Sequence, residues 1–326
     1  MQSIVYKHFT TSRQFDYAYY YHAPDDSTLP VLMFLHGFPS TSQIWSHQLT
    51  YFQNRGFGLL APDMLGFGGS SKPTDPHQYR LSLICQDLVE LLDAENLNQV
   101  VIVGHDLGSK VASRLANLHD ERFMGYAFLA DPYNAPHPKS NIQHALYATR
   151  RMCGYELCGH TLFFAEEGSA AFIHKHIDSF FNAVFPVDPK MWVTEVAPIG
   201  ALKRWLQADK TTALPPYFSK QDFHAWKATF VKYGLEAPLC WHQAYVIGLY
   251  AEDDKEIPTD NYIVHKPVFF AAARHDYISW STLGIATTNR HCRAATIREF
   301  STGHWLMISS PSEVNHALFD WVMDVV

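Results

Sequence analysis

The sequence predicts an α/β protein: a mostly parallel sheet flanked by helices and interrupted by a long helical insertion. Three observations carry that reading. Short apolar runs closed by Gly, Pro or Asp alternate with amphipathic stretches through residues 1–133. Between 134 and 261 the alternation stops and aromatic-rich helical spacing takes over. From 262 to 326 the alternation resumes. The expected organisation is one domain made of 1–133 and 262–326, with 134–261 inserted into it as a helical cap.

PVLMFLHG from Pro30 and GFGLLAPD from Gly56 are continuous apolar runs of strand length, the pattern of strands buried on both faces. Over residues 81–93, Leu83, Ile84, Leu88, Leu91 and Leu92 recur at three-to-four spacing, which predicts a helix, and NQVVIVGHD then predicts a strand. After Gly108, KVASRLANLHDERF has helical spacing, and MGYAFLADP is a short strand ended by Pro132. In the insertion, SAAFIHKHIDSFFNAVF and GALKRWLQAD keep helical spacing between DP and PP breakers. HKPVFFAAARHD restores the strand pattern. A helix over 281–290, the strand ATIREF and a last helix over 313–326 follow.

With 326 residues, 47% of them apolar, the chain can bury a large core. Its net charge of -7 is spread without a block of like charge, so nothing marks a surface for nucleic acid or anionic lipid. A small molecule is the expected partner, and a homodimer is the self-association left open. The opening residues MQSIVYKHFTTSRQFDYAYYYHAP lack an apolar signal core, and no segment approaches the roughly 20 apolar residues of a membrane span, so a cytoplasmic protein is expected. The 5 cysteines form no paired CxxC framework. Cys153, Cys158 and His160 lie close in sequence but lack four ligands at zinc spacing, so neither metal nor cofactor is expected.

The most informative segment is VVIVGHDLGSKVA, which sets Asp106 between Gly104 and Gly108 on a strand-to-helix turn. That is the form of a nucleophile elbow with Asp in place of Ser. Taken alone, Asp106 reads as a helix N-cap; the strand before it and the helix after it favour a nucleophile. His304, in REFSTGHWLM, lies just past a late strand and is the candidate base. With 19 histidines in the chain, position rather than residue type selects it. Asp276 ends PVFFAAARHD and is the natural orienter of His304, with Asp131, which also ends a strand, as the alternative. HGFPS follows the strand VLMFL and suits an oxyanion hole made of the Phe38 and Leu107 amides, with Pro39 fixing the turn. DMLGFGGSSKP is Gly-rich but has neither GxGxxG nor Walker spacing, which argues against a phosphate cradle.

As a set, HGFP, DMLGFGGSSKP, GHDLGS, the aspartate after the seventh expected strand and GHW resemble the epoxide hydrolase branch of the α/β-hydrolase fold. The resemblance spans nearly the whole chain, and FFAEEG and HIDSF look like fungal members. It implies that Asp106 opens an epoxide to an alkyl-enzyme ester, and that His304, oriented by Asp276, activates water to split that ester. It also implies two cap tyrosines that donate to the epoxide oxygen. Here the chain departs from the pattern, with His160 and His242 at those places and Tyr155 and Tyr245 nearby as substitutes. The departure points to activity at lower pH or to a specialised polar substrate such as a secondary metabolite.

Haloalkane dehalogenases share the Asp-His-Asp arrangement but often carry Trp where this chain has Leu107. Fluoroacetate dehalogenases place arginines where Ser109 and Lys110 follow Gly108. A ligand-binding protein of the same fold needs no chemistry, and the complete set of Asp106, Asp276 and His304 argues against it.

Overall fold

In the computed structural model, which describes residues 5–325, one sheet is built from β1 (Tyr6–Thr10), β2 (Asp16–His22), β3 (Val31–Leu35), β4 (Gly58–Pro62), β5 (Val100–His105), β6 (Phe123–Leu129), β7 (Val264–Ala273) and β8 (Cys292–Phe300). Their spatial order is β1-β2-β4-β3-β5-β6-β7-β8. The pairs from β4 to β8 are parallel, in keeping with the predicted sheet. All residues of β3, β4 and β5 are buried, which is why their sequences are apolar throughout rather than alternating.

β1 and β2 were not anticipated. They add an antiparallel edge, with Tyr6 opposite Tyr20 and Tyr19 opposite Pro62. β1 keeps no fully buried residue, so it lacks the apolar run that marks the inner strands. Helices occupy Leu81–Ala94, Leu107–Leu118, Ser281–His291 and Pro311–Val325, close to the predicted spans. The last position of the predicted terminal helix, Val326, lies outside the described residues, as do residues 1–4 at the start of the segment read for a signal. Among the described residues, no helix is long and apolar enough to cross a membrane.

From β3 the chain passes to β4 on one side and later to β5 on the other, so the connections diverge between β3 and β5. In parallel sheets of this kind the crevice outside the carboxyl ends of such strands is where ligands bind. His36 to Ser40 leave β3 there, and Asp106 leaves β5 beside them.

Between β6 and β7 the described chain is helical, including Ile142–Cys153, His160–Phe164, Ser169–Lys175, Ile177–Val184, Ala201–Gln207, Lys220–Tyr233 and Glu236–Val246. The single helical run expected over SAAFIHKHIDSFFNAVF is broken at His176, whose Nδ1 lies 2.5 Å from Asp209 Oδ1. Specific bonds hold this insertion over the sheet end. Trp241 Nε1 donates to the Leu65 carbonyl at 2.9 Å, Trp305 Nε1 donates to the Val184 carbonyl at 2.9 Å, and a buried Arg114–Asp254 ion pair closes at 2.7 Å.

Candidate active site

Asp106 sits at the junction of β5 and the helix Leu107–Leu118 with φ 54° and ψ -120°, a conformation that is strained for any residue with a side chain. The tightness of the turn explains its two glycines. A Cβ on Gly104 would lie 2.7 Å from the Gly108 carbonyl oxygen, and one on Gly108 would collide with the Leu35 carbonyl of β3. The turn lifts the Asp106 carboxylate out of the sheet into the crevice.

There the Phe38 amide donates to Asp106 Oδ1 at 2.8 Å. The Leu107 amide, at the first position of its helix, has no intrahelical acceptor, which leaves it able to donate to an added oxygen. The Phe38–Pro39 peptide is cis. Gly37 next to it has no room for a side chain, because a Cβ there would overlap the Asp106 carboxylate. His36 shapes this loop from below. The Met64 amide donates to its Nε2 at 2.9 Å, so the ring proton resides on Nδ1, which donates to the Gly37 carbonyl at 2.9 Å. Burial lowers the pKa of His36 and keeps the ring neutral.

His304 is buried 3.9 Å from Asp106 through Nε2, and its Nδ1 donates to Asp276 Oδ2 at 2.6 Å. The other Asp276 oxygen accepts the amides of Ile278 and Ser279 at 2.9 and 3.0 Å, so the carboxylate is held from both ends. Burial alone would lower the His304 pKa. The Asp276 carboxylate outweighs burial, Asp106 and Asp131 add to it, and the pKa is raised to about 9. His105 supports the loop from beneath: its Nε2–H donates to the His304 carbonyl at 3.0 Å, and burial pushes its pKa down to about 3. The rings of Trp192 and Trp305 lie 5.6 and 5.0 Å from that of His304 and shield it from bulk water.

Two cavity lobes meet at Asp106. One, of about 50 Å³, is apolar and lined by Phe38, Phe164, Val184, Trp192 and Leu202. The other, of about 110 Å³, contains Lys110, Asp131, Cys158, Thr161 and Tyr245. Asp106, His160 and His242 line both lobes. His160 Nδ1 and His242 Nε2 are buried and have no hydrogen-bond partner, and both rings line the cavity. Burial pushes the His160 pKa down to about 4 and that of His242 well below its ordinary value, so both are neutral at pH 7. The ring of His242 packs 4.8 Å from those of Phe38 and Phe164. A larger cleft of about 620 Å³, lined in part by Pro186, Tyr217 and His275, shares Trp192, His304 and Trp305 with the apolar lobe.

The structure thus brings together Asp106, His304, Asp276, Phe38, Leu107, His160, His242 and Tyr245. Tyr155 is not among the residues lining either lobe; its hydroxyl donates to the Tyr277 carbonyl at 2.9 Å and serves to tie the insertion to the core. Sequence reading did not single out His36 or His105. Their only signal is a histidine beside a motif residue, HG and HD, which is weak in a chain rich in histidine.

The family described as the alpha/beta hydrolase fold matches residues 30–150. Bifunctional epoxide hydrolase 2 of Sus scrofa is 26% identical over 302 residues, 90% of this chain and 51% of that protein, so the chain spans about half the length of that relative. Epoxide hydrolase A of Mycobacterium tuberculosis is 27% identical over 313 residues, 90% of each chain. Among solved structures, an epoxide hydrolase from an endophytic Streptomyces superposes with a TM-score of 0.83 over 99% of this chain and 96% of its own, at 22% identity, and this likeness shows the fold. The chain has the α/β-hydrolase fold, and the relatives it resembles are epoxide hydrolases.

Proposed function

We propose that this chain is an epoxide hydrolase that acts through an ester on Asp106. The observation that carries the reading is the setting of that carboxylate. It lies between the Phe38 amide and His304, in a cavity also lined by the rings of His160 and His242. The names of the relatives agree with it.

A carboxylate is a suitable nucleophile for an sp³ carbon with a leaving oxygen, because the product is an ester that water can split. Asp106 forms a bond to one epoxide carbon, and the C–O bond of the ring breaks onto the oxygen. The neutral imidazoles of His160 and His242, which line the cavity, hold that oxygen until it takes a proton from water. Esterification cancels the charge of Asp106, one of the anions that raise the His304 pKa, so His304 becomes free to act as a base. His304 takes a proton from water, and the hydroxide adds to the Asp106 carboxyl carbon. The Phe38 and Leu107 amides hold the resulting oxyanion. Collapse breaks the bond between the Asp106 carboxyl carbon and the ester oxygen, which takes the proton back from His304 as the diol leaves, and the Asp106 carboxyl returns its remaining proton to water.

The lobes of about 50 and 110 Å³ suit a small epoxide with an apolar group on one carbon. The test is a single turnover with a panel of small aryl and alkyl epoxides in heavy-oxygen water. Diol together with label in the Asp106 peptide is the expected result. Diol that carries the label while Asp106 does not would mean direct attack by water and contradict the ester.

A further inference from the structure

Asp131 stands in the site and takes no part in the steps above. The chain reaches it from β6 through Ala130, whose φ of 62° lies in the left-handed region that residues with side chains rarely take. The Asp131 amide donates back to the Leu129 carbonyl at 2.8 Å, and the Ala130 amide donates to the Ala271 carbonyl of β7 at 3.0 Å. Ser279 Oγ donates to the Ala130 carbonyl at 3.2 Å. A strained three-residue turn, pinned by its neighbours, therefore sets where the Asp131 side chain stands. Such strain persists only where the surroundings enforce it, and it clusters at functional sites.

An Asp131 carboxylate oxygen, an Asp106 carboxylate oxygen and a ring nitrogen of His304 all lie within 4.8 Å of one another. Three atoms so spaced share a point about 2.8 Å from each, the length of an ordinary hydrogen bond from water. We propose that Asp131 is a third catalytic carboxylate, which holds the water that hydrolyses the ester on Asp106. The proposal rests on the ester reading above. The water passes one proton to His304 and donates its other hydrogen to Asp131, while its oxygen bonds to the Asp106 carboxyl carbon. The carbonyl electron pair moves to the oxygen held by Phe38. On collapse the bond between the Asp106 carboxyl carbon and the ester oxygen breaks, and the departing diol oxygen takes the His304 proton.

The charges around Asp131 suit this timing. Burial and the charge of Asp106 push its pKa up to about 6, while His304 and Lys110 oppose them and Asp276 adds to them. From the insertion, Cys158, His160 and Tyr245 line the same lobe. Alkylation removes the Asp106 charge, so Asp131 ionises more completely when the water has to be held.

The experiment follows ester formation and decay by rapid quench and intact-protein mass in the full chain, comparing wild type, Asp131→Asn, Asp131→Ser and His304→Gln. Asp131→Asn is expected to form ester at close to the wild-type rate and to lose it roughly 10- to 100-fold more slowly, the worth of one charge-assisted hydrogen bond. The acid limb of its decay profile moves to lower pH, because an anion that raises the His304 pKa is gone. Asp131→Ser, whose shorter side chain withdraws the acceptor oxygen from the water, loses ester no faster than Asp131→Asn. A structural role alone would slow formation and decay together, and that outcome overturns the proposal. Ester in His304→Gln with unaltered decay in Asp131→Asn overturns this proposal alone; no ester in His304→Gln overturns both readings.

Discussion

Nδ1 of His304 lies 2.6 Å from Oδ2 of Asp276, and both side chains are buried. That bond leaves Nε2 facing Asp106 and raises the pKa of the ring against the pull of burial. Asp276→Asn should therefore keep the fold, lose the tautomer and slow ester hydrolysis by on the order of 10³- to 10⁴-fold. The remaining activity should titrate at lower pH than that of the wild type. Single-turnover decay of the ester across pH 5 to 10 checks both.

The same shift has a stability consequence. The folded pKa of about 9 lies above the ordinary 6.5, so the contribution of His304 is complete below about pH 6.5 and is lost as pH rises toward 9. Melting temperature should fall between those values in the wild type relative to His304→Gln. Parallel curves for the two proteins across that window would exclude the linkage.

Gly37 and Gly108 should separate activity from folding. A methyl group at position 37 meets the Asp106 carboxylate, the end of a side chain, whereas one at position 108 meets the Leu35 backbone. Gly37→Ala should abolish ester formation with little change in melting. Gly108→Ala should cost several kcal/mol, about 3 or more, measured by urea unfolding.

The cap histidines are neutral over the working range, since burial pushes the pKa of His160 down to about 4 and that of His242 well below its ordinary value. Replacing either with Phe should slow ester formation by roughly 10- to 100-fold while sparing ester decay. Between pH 6 and 8 neither ring should contribute a limb to the formation rate. A formation rate unchanged in His160→Phe and in His242→Phe would remove both from ring opening.

Arg114 and Asp254 tie the helical insertion to the helix that follows Asp106, at 2.7 Å and almost without exposure. Removing one partner strands a buried charge, so Asp254→Ala should destabilise by about 3 to 5 kcal/mol in chemical unfolding.

Asp106 and Asp276 are legible in the sequence because each follows a strand that announces itself as a continuous apolar run, and His304 because it follows the last strand, ATIREF, in the expected chain order. Chain order then links residues 170 and more positions apart. β1 and β2 escape such reading because YKHFT and DYAYYYH carry polar and aromatic residues in no clean alternation and neither is buried along its whole length. The break at His176 is hidden because helical spacing continues across it, and a tertiary contact with Asp209 accompanies it. Tyr155 lies near His160 in sequence but spends its hydroxyl on Tyr277, a partner more than a hundred residues away. The tautomer of His36 depends on the Met64 amide, a contact that exists only once β3 and β4 are paired.

The most direct test of the ester on Asp106 is the intact mass of His304→Gln after incubation with a small aryl epoxide, followed by peptide mapping. The mechanism predicts a stable gain equal to one substrate, located on the peptide that contains Asp106 and absent in Asp106→Ala. Diol production by His304→Gln with no mass gain, or an adduct that persists in Asp106→Ala, would contradict it.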